Sequence, residues 1–263
     1  MEIEIVQIDA FTGEPYKGNP AAVCLLKAPA DEQWMKNVAR EMNLSETAFF
    51  YPIDGGYHLR WLTPKAEVDL CGHGTLATAH FLYENKLEPS NRKISFKTRS
   101  GWVSATKNGD LITLDFPLQK PKKIKPPRGL EKALGAKPVY VGRYADSYIV
   151  QFAKAKTIRE LKPDMMALEK LPLPKVCVTA PSDTEKYDFV TRRFSPKIGI
   201  NEDPVNGNSH TALAPYWGEI FNKIKMRSLA CSERAGELFV EIAGDRVKIS
   251  GRAVTVMRAK LLY

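Results

Sequence analysis

Two carboxylates, Glu46 and Asp203, and one histidine, His73, stand where the sequence best suits proton chemistry. Glu46 heads the otherwise apolar run Glu46-Thr47-Ala48-Phe49-Phe50, after the turn residues Asn43 and Ser45. A carboxylate drawn into such a run loses hydration, which raises its pKa toward the range of a general acid/base. A solvated glutamate at a strand start is the plainer alternative. His73 lies in Leu70-Cys71-Gly72-His73-Gly74-Thr75, where it could carry a proton or donate to a substrate. Asp203 opens Asp203-Pro204-Val205-Asn206-Gly207-Asn208-Ser209-His210. Spacing leaves two roles open for it, catalysis or a simple N-cap ahead of proline. Both loops lead into helices, whose free N–H groups and dipoles suit a carboxylate or phosphate; glycines that merely allow tight packing are the alternative. Cys71 is a candidate thiol base, whereas His210 falls inside a helix and His58 and His80 are assigned to structure. No His/Cys/Asp spacing suggests a metal site. No Walker loop, Rossmann fingerprint or nucleophile elbow occurs.

The two loops belong to a chain that is written twice. At an offset of 132, Thr47-Ala48 falls on Thr179-Ala180 and Arg60 to Lys65 falls on Arg192 to Lys197. At 135, Glu67, Gly72, Ala77 and Ala79 fall on Glu202, Gly207, Ala212 and Ala214, and Arg99, Gly101, Gly109 and Asp110 on Arg234, Gly236, Gly244 and Asp245. A repeat of this length implies two similar domains, not a solenoid, and ligands favour the interface between such domains. On this alignment Glu46 falls on Val178 and Asp203 on Val68, and Asn206 takes the place of Cys71. One unmatched carboxylate per half implies a pseudo-twofold cleft with one-sided chemistry.

Patterning assigns strands to Ile3–Asp9, Ala21–Leu26, Glu46–Pro52 and Tyr57–Leu62, the last two forming a hairpin across Asp54-Gly55-Gly56. Asp31–Met42 reads as a helix with Trp34, Val38 and Met42 on one face. Gly74–Tyr83 is apolar nearly all round and so reads as a buried helix. Strands follow at 93–97, 102–106 and 111–116. The second half gives strands near 139–141, 148–152, 176–179, 189–194, 238–242 and 247–249, with helices near 164–169 and 209–221. The fold class expected is α+β: two pseudo-symmetric halves, each a curved, barrel-like, mostly antiparallel sheet around a central helix. The halves are set at 1–118, with the C-terminal strand 255–263 returning to it, and 119–254.

At 263 residues with 44% hydrophobic and 26% charged content, the chain has the composition of a soluble globular protein. No apolar run approaches a membrane span, and Met1 to Ile5 reads as a strand, not a signal peptide. Cys24, Cys71, Cys177 and Cys231 are scattered and read as free thiols of a cytoplasmic protein. The net charge of +9 concentrates partly in Lys120 to Arg128. Rich in proline and without aromatics, this run reads as a solvated interdomain linker, and nucleic acid is not the expected partner.

Five ordered blocks resemble the PhzF family of phenazine-biosynthesis-like proteins, which share the diaminopimelate-epimerase fold. They are Asp9-Ala10-Phe11-Thr12 with Gly18-Asn19-Pro20-Ala21-Ala22-Val23, Met42 to Phe49, Arg60-Trp61-Leu62-Thr63-Pro64, Leu70 to Ala77, and Glu202 to Gly207. The resemblance implies a cofactor-free isomerase acting on a small cyclic hydroxy-amino-carboxylate. It assigns the proton shuttle to Glu46, with His73 and Asp203 as its catalytic companions. Substrate binding falls to Gly72, His73, Gly207, Asn208 and Ser45, and a homodimer is implied. Where the family reads close to EDPVTGSAH this chain has EDPVNGNSH, so Asn206 and Asn208 replace threonine and serine at expected substrate contacts; Ala235 stands where the family often has glycine. These departures bear on the substrate. Two rivals follow: a non-catalytic small-molecule-binding or protein-interaction module, and an epimerase or racemase using Cys71.

Overall fold

The computed structural model describes residues 3–262, so Met1, Glu2 and Tyr263, which the terminal strands were expected to include, lie outside the described residues. The chain divides into two compact units, one running to Phe116 and resuming at Lys248, the other Pro117–Val247. The class is α+β.

In the first unit, β1 (Ile3–Ala10) pairs antiparallel with β2 (Asn19–Leu25). Helix α1 (Glu32–Met42) crosses to β3 (Glu46–Ile53), which therefore lies parallel to β2. Asp31 caps α1 by accepting from the Trp34 amide at 2.8 Å, and Asn43 ends it in the left-handed region that a short polar side chain tolerates. α1 buries Met35, Val38 and Ala39, while Trp34 meets Phe49 edge-on at 5.8 Å. β4 (Gly56–Leu62) completes the expected hairpin, with Ile53 opposite Gly56 across the Asp54-Gly55 turn. The short β5 (Glu67–Val68) pairs with the end of β4, and α2 (Gly72–Glu84) follows. All of α2 except His80 and Glu84 is buried, as its continuous apolar surface dictates, and it packs on β1, β2, β3 and β7. β6 (Ile94–Thr98) lies parallel to β4, and β7 (Gly101–Asn108) and β8 (Leu111–Pro117) extend the sheet as a meander.

The second unit repeats this order of pairings. β9 (Lys122–Lys123), within the basic run, edges the sheet, and Ile124 packs on the unit's core. After α3 (Leu130–Leu134) come β10 (Tyr140–Tyr144) and β11 (Ser147–Gln151), antiparallel like β1 and β2. Helices α4 (Ala155–Glu160) and α5 (Met165–Glu169) cross to β12 (Lys175–Pro181), parallel to β11. β13 (Phe189–Ser195) and the short β14 (Ile200–Asp203) then stand as β4 and β5 do. α6 (His210–Phe221) precedes β15 (Lys225–Ala230), parallel to β13, then β16 (Gly236–Ala243) and β17 (Arg246–Gly251), of which residues 248–251 belong to the first unit. Finally β18 (Ala253–Leu261) rejoins the first unit antiparallel to β1, and α2 packs on it also.

One ion pair marks the repeat at atomic detail. Arg60 meets Glu67 through Nε and one terminal nitrogen at 2.8 and 2.7 Å, and Arg192 meets Glu202 likewise at 2.8 Å for both contacts. The fork-on-fork geometry ties β4 to β5 and β13 to β14. The ladders also correct one alignment. Arg60 lies opposite Phe49, whereas Arg192 lies opposite Val178, so Val178 is the counterpart of Phe49. The parallel ladders agree: Glu46 faces Ala21 at the first rung and Lys175 faces Ser147. Glu46 therefore corresponds to Lys175, not Val178. The Asp203–Val68 correspondence holds, since Arg193 faces Asp203 as Trp61 faces Val68.

Candidate active site

In the first unit the fold gathers Glu46, Cys71, His73 and Asn19. Glu46 is the first residue of β3, Cys71 is the N-cap of α2, His73 lies in its first turn, and Asn19 opens β2. The apolar, close-packed run around α2 draws these polar groups out of water. Glu46 is 9% exposed, Cys71 4%, His73 3% and Asn19 not at all.

His73 Nε2 lies 2.9 Å from Glu46 Oε2, a charge contact set out of line for a regular hydrogen bond. On the other edge of the ring, Nδ1 meets Asn19 Nδ2 at 3.1 Å and Cys71 Sγ at 3.5 Å. Burial works against charging His73, but the Cys71 sulfur and the Glu46 carboxylate hold its pKa well above the ordinary histidine value. Burial, reinforced by Glu46, pushes the Cys71 thiol up. Glu46, Cys71 and His73 offer donor atoms within 4.8 Å of one another, a closeness that linear spacing did not signal.

Cys71 Sγ accepts the Gly74 amide at 3.3 Å, which makes the sulfur a helix cap. The amides of Gly72 and His73 lie in the first turn, where no intrahelical acceptor exists, and with the helix dipole they form an anion-attracting terminus. Gly74 must be glycine here: a Cβ would come within 2.7 Å of Trp61 Cδ1. Trp61 is 1% exposed, and its Nε1 has no hydrogen-bond partner among the described residues. Ser45 sits one residue before Glu46, half-buried.

Asp203, Gly207 and Asn208 belong to the second unit, whose loop into α6 has its own order. Asp203 is not the cap. Asn206 caps instead, its Oδ1 accepting from the Ser209 amide and hydroxyl at 2.7 Å each, while its Nδ2 donates to Asp203 Oδ2 at 2.7 Å. Asn206, which the sequence placed at a substrate contact, thus also holds the loop together through both ends of its amide. Asn208 differs, because its Oδ1 is buried with no hydrogen-bond partner among the described residues. His210 is structural, its ring bridging the Asn206 carbonyl and Ser228 Oγ at 2.9 Å each; burial pushes its pKa down to about 4.

Sequence reasoning did not single out Arg193. Its guanidinium is fully enclosed and donates to Tyr144 Oη at 2.8 Å, Ser209 Oγ at 3.0 Å, Ser147 Oγ at 3.2 Å and Ser195 Oγ at 3.3 Å. Two adjacent arginines in a strand, Thr191-Arg192-Arg193-Phe194, where alternation sends one of the two inward, were the available signal.

The chain matches the model of the PhzC-PhzF family, described as phenazine biosynthesis-like protein, over residues 8–259. An uncharacterized isomerase of Halalkalibacterium halodurans is 46% identical over 263 residues, covering 100% of this chain and 99% of that protein. A crystal structure of a PhzF-family phenazine biosynthesis protein from Enterococcus faecalis is 39% identical, with a TM-score of 0.95 and 100% coverage of both chains. A hydroxyproline epimerase from Agrobacterium vitis resembles it in fold alone, with a TM-score of 0.66 at 11% identity over 99% of this chain and 91% of that one.

Proposed function

The chain belongs to the PhzC-PhzF family of phenazine biosynthesis-like proteins, and on that premise we propose that it is an isomerase in which Glu46 moves a proton within a small cyclic or amino/hydroxy carboxylate. The printed names of similar proteins, such as the Halalkalibacterium halodurans isomerase, support the reaction class. The observation that carries the mechanism is the buried 2.9 Å contact between Glu46 Oε2 and His73 Nε2 at the start of α2. Glu46 takes a proton from a substrate carbon and returns it to another, so one carboxylate serves as base and then acid. The imidazolium of His73 offsets the carboxylate charge while Glu46 is unprotonated. The Gly72 and His73 amides hold the substrate carboxylate through the helix terminus. Asp203 and the unpartnered Asn208 Oδ1 are acceptors suited to a substrate amine or hydroxyl. Such a transfer is redox-neutral and complete with these residues, which is the sense in which it is cofactor-independent.

The Cys71 epimerase reading is disfavoured by the capping bond and by the burial that keeps the thiol protonated. Its counterpart in the second unit is Asn206, which supplies no second thiol. A homodimer in the cytoplasm completes the proposal, and light scattering of the purified protein checks the assembly.

Proton NMR in D₂O with a panel of cyclic amino- and hydroxy-carboxylates tests the reaction, wild type beside Glu46→Gln. Isomerisation or deuterium uptake with wild type alone supports it. Ligand line broadening with no turnover in either protein would replace it with the binding-module reading.

A further inference from the structure

The ring of His73 has two nitrogens, and the proposed chemistry uses only the one that faces Glu46. What holds the other decides which nitrogen carries the proton in the neutral ring. That group is Asn19, which is fully buried, with Nδ2 3.1 Å from His73 Nδ1. Its backbone is fixed. Asn19 pairs with Ala10 in the β1–β2 ladder, and Gly18 before it has φ +65°, where a Cβ would meet the Ala10 carbonyl oxygen at 2.2 Å. Pro20 follows and restricts Asn19 to extended conformations. Cys71 Sγ lies farther off, 3.5 Å from Nδ1 and 3.9 Å from Nε2, and so distinguishes the two nitrogens less sharply than Asn19 does.

We propose that Asn19 is a positioning residue that engages Nδ1 of His73 and so keeps the Nε2–H edge of the ring on Glu46. With the ring neutral, the Asn19 amide N–H donates to Nδ1 and the ring proton sits on Nε2, facing the carboxylate. With the ring charged, the same carboxamide presents its oxygen to Nδ1–H; the two orientations are nearly isosteric. Glu46 therefore faces an N–H edge across the 2.9 Å charge contact in both states. The catalytic consequence rests on the Glu46 reading above, but the placement of the proton does not.

Long-range ¹H–¹⁵N correlation of the histidine rings tests it without substrate. The spectra are recorded at alkaline pH, where the ring is neutral, and His73 is assigned by its absence in His73→Gln. Wild type should show the Nε2–H tautomer alone. Asn19→Leu, which offers neither donor nor acceptor, should show both tautomers. Asn19→Asp, which can only accept, should move the proton to Nδ1. If the variants keep the wild-type tautomer, the proposal is overturned. Should Asn19→Leu not fold, Asn19→Asp decides alone: a switch to Nδ1–H supports the proposal and an unchanged ring removes it. If Glu46→Gln kept full turnover while the tautomers shifted as expected, the functional reading would fail and this one would stand.

Discussion

Glu46 and His73 lie 2.9 Å apart in a setting almost closed to water, with the two residues on different elements, β3 and α2. Such a contact has a pH signature. The folded-state pKa of His73 is raised above its ordinary 6.5. The contribution to stability is therefore fully present below about 6.5 and is lost as pH rises through the raised folded value. Urea unfolding of wild type should show stability declining on the alkaline side of neutrality, with the slope reduced in His73→Gln. Equal slopes in the two proteins would remove His73 as the titrating group.

Removing His73 altogether should be costlier than removing its charge by pH. His73→Leu leaves the Glu46 carboxylate buried without its cation, a loss of roughly 3–5 kcal/mol at neutral pH. Adding Glu46→Gln to that variant should restore much of the loss, because the unpaired charge disappears with it. Denaturant midpoints of the two single variants and the double variant measure this coupling.

Glu46→Gln itself should fold and bind ligand as wild type does, with turnover reduced by about 10²–10⁴-fold or more, the range a positioned acid/base supplies. Circular dichroism and the D₂O assay together check this. A variant with wild-type turnover would remove Glu46 from the mechanism.

Much of this arrangement was legible in the sequence, and the failures have physical causes. The two loops and the buried helices α2 and α6 followed from glycine placement and from apolar runs without a polar face. The match of Glu46 to Val178 failed because the hairpins differ. β3 turns into β4 across Asp54-Gly55, while Pro181 and Phe189 are joined by a longer loop, so the register shifts between strands of one repeat. β15 went unread: it buries Met226, Ser228 and Ala230 in alternation, but Met226 stands between Lys225 and Arg227, and serine and alanine give a faint apolar signal after them. The bonds from Asn206 to Asp203 and Ser209 were not legible, because sequence does not say which groups of the loop its amide reaches. Asn19 was visible only as part of a motif, since its partner lies 54 residues away.

The capping role of Asn206 predicts a graded series. Asn206→Ala removes the acceptor for the Ser209 amide and the donor to Asp203, and should cost about 1–2 kcal/mol. Asn206→Thr keeps a hydroxyl that can cap and should cost less. Thermal or chemical unfolding ranks them; a series in which alanine and threonine are equivalent would show that the cap is not what stabilises this loop.

The repeat supplies the sharpest stability test, because equivalent positions solve one packing problem in two ways. Trp61 and Arg193 occupy matching rungs, opposite Val68 and Asp203. Against Trp61 lies Gly74, where a Cβ would come within 2.7 Å of the indole; against Arg193 lies Ser209, whose hydroxyl accepts from the guanidinium at 3.0 Å. Each partner thus suits only its own neighbour. Gly74→Ser should be destabilising by roughly 1–3 kcal/mol through overpacking. Arg193→Met removes the donor that the Tyr144, Ser147, Ser195 and Ser209 hydroxyls share; Tyr144 and Ser209 keep each other, Ser209 keeps Asn206 and Ser147 keeps Asp146, so the cost should be about 1–3 kcal/mol in all, offset in part because a buried charge is removed. Ser209→Gly in the Arg193→Met background should then cost less than Ser209→Gly alone, since the bond from Arg193 is already gone and only those to Asn206 and Tyr144 remain to be lost. A double-mutant cycle measures that difference, and strict additivity of the two changes would show that Arg193 and Ser209 act independently.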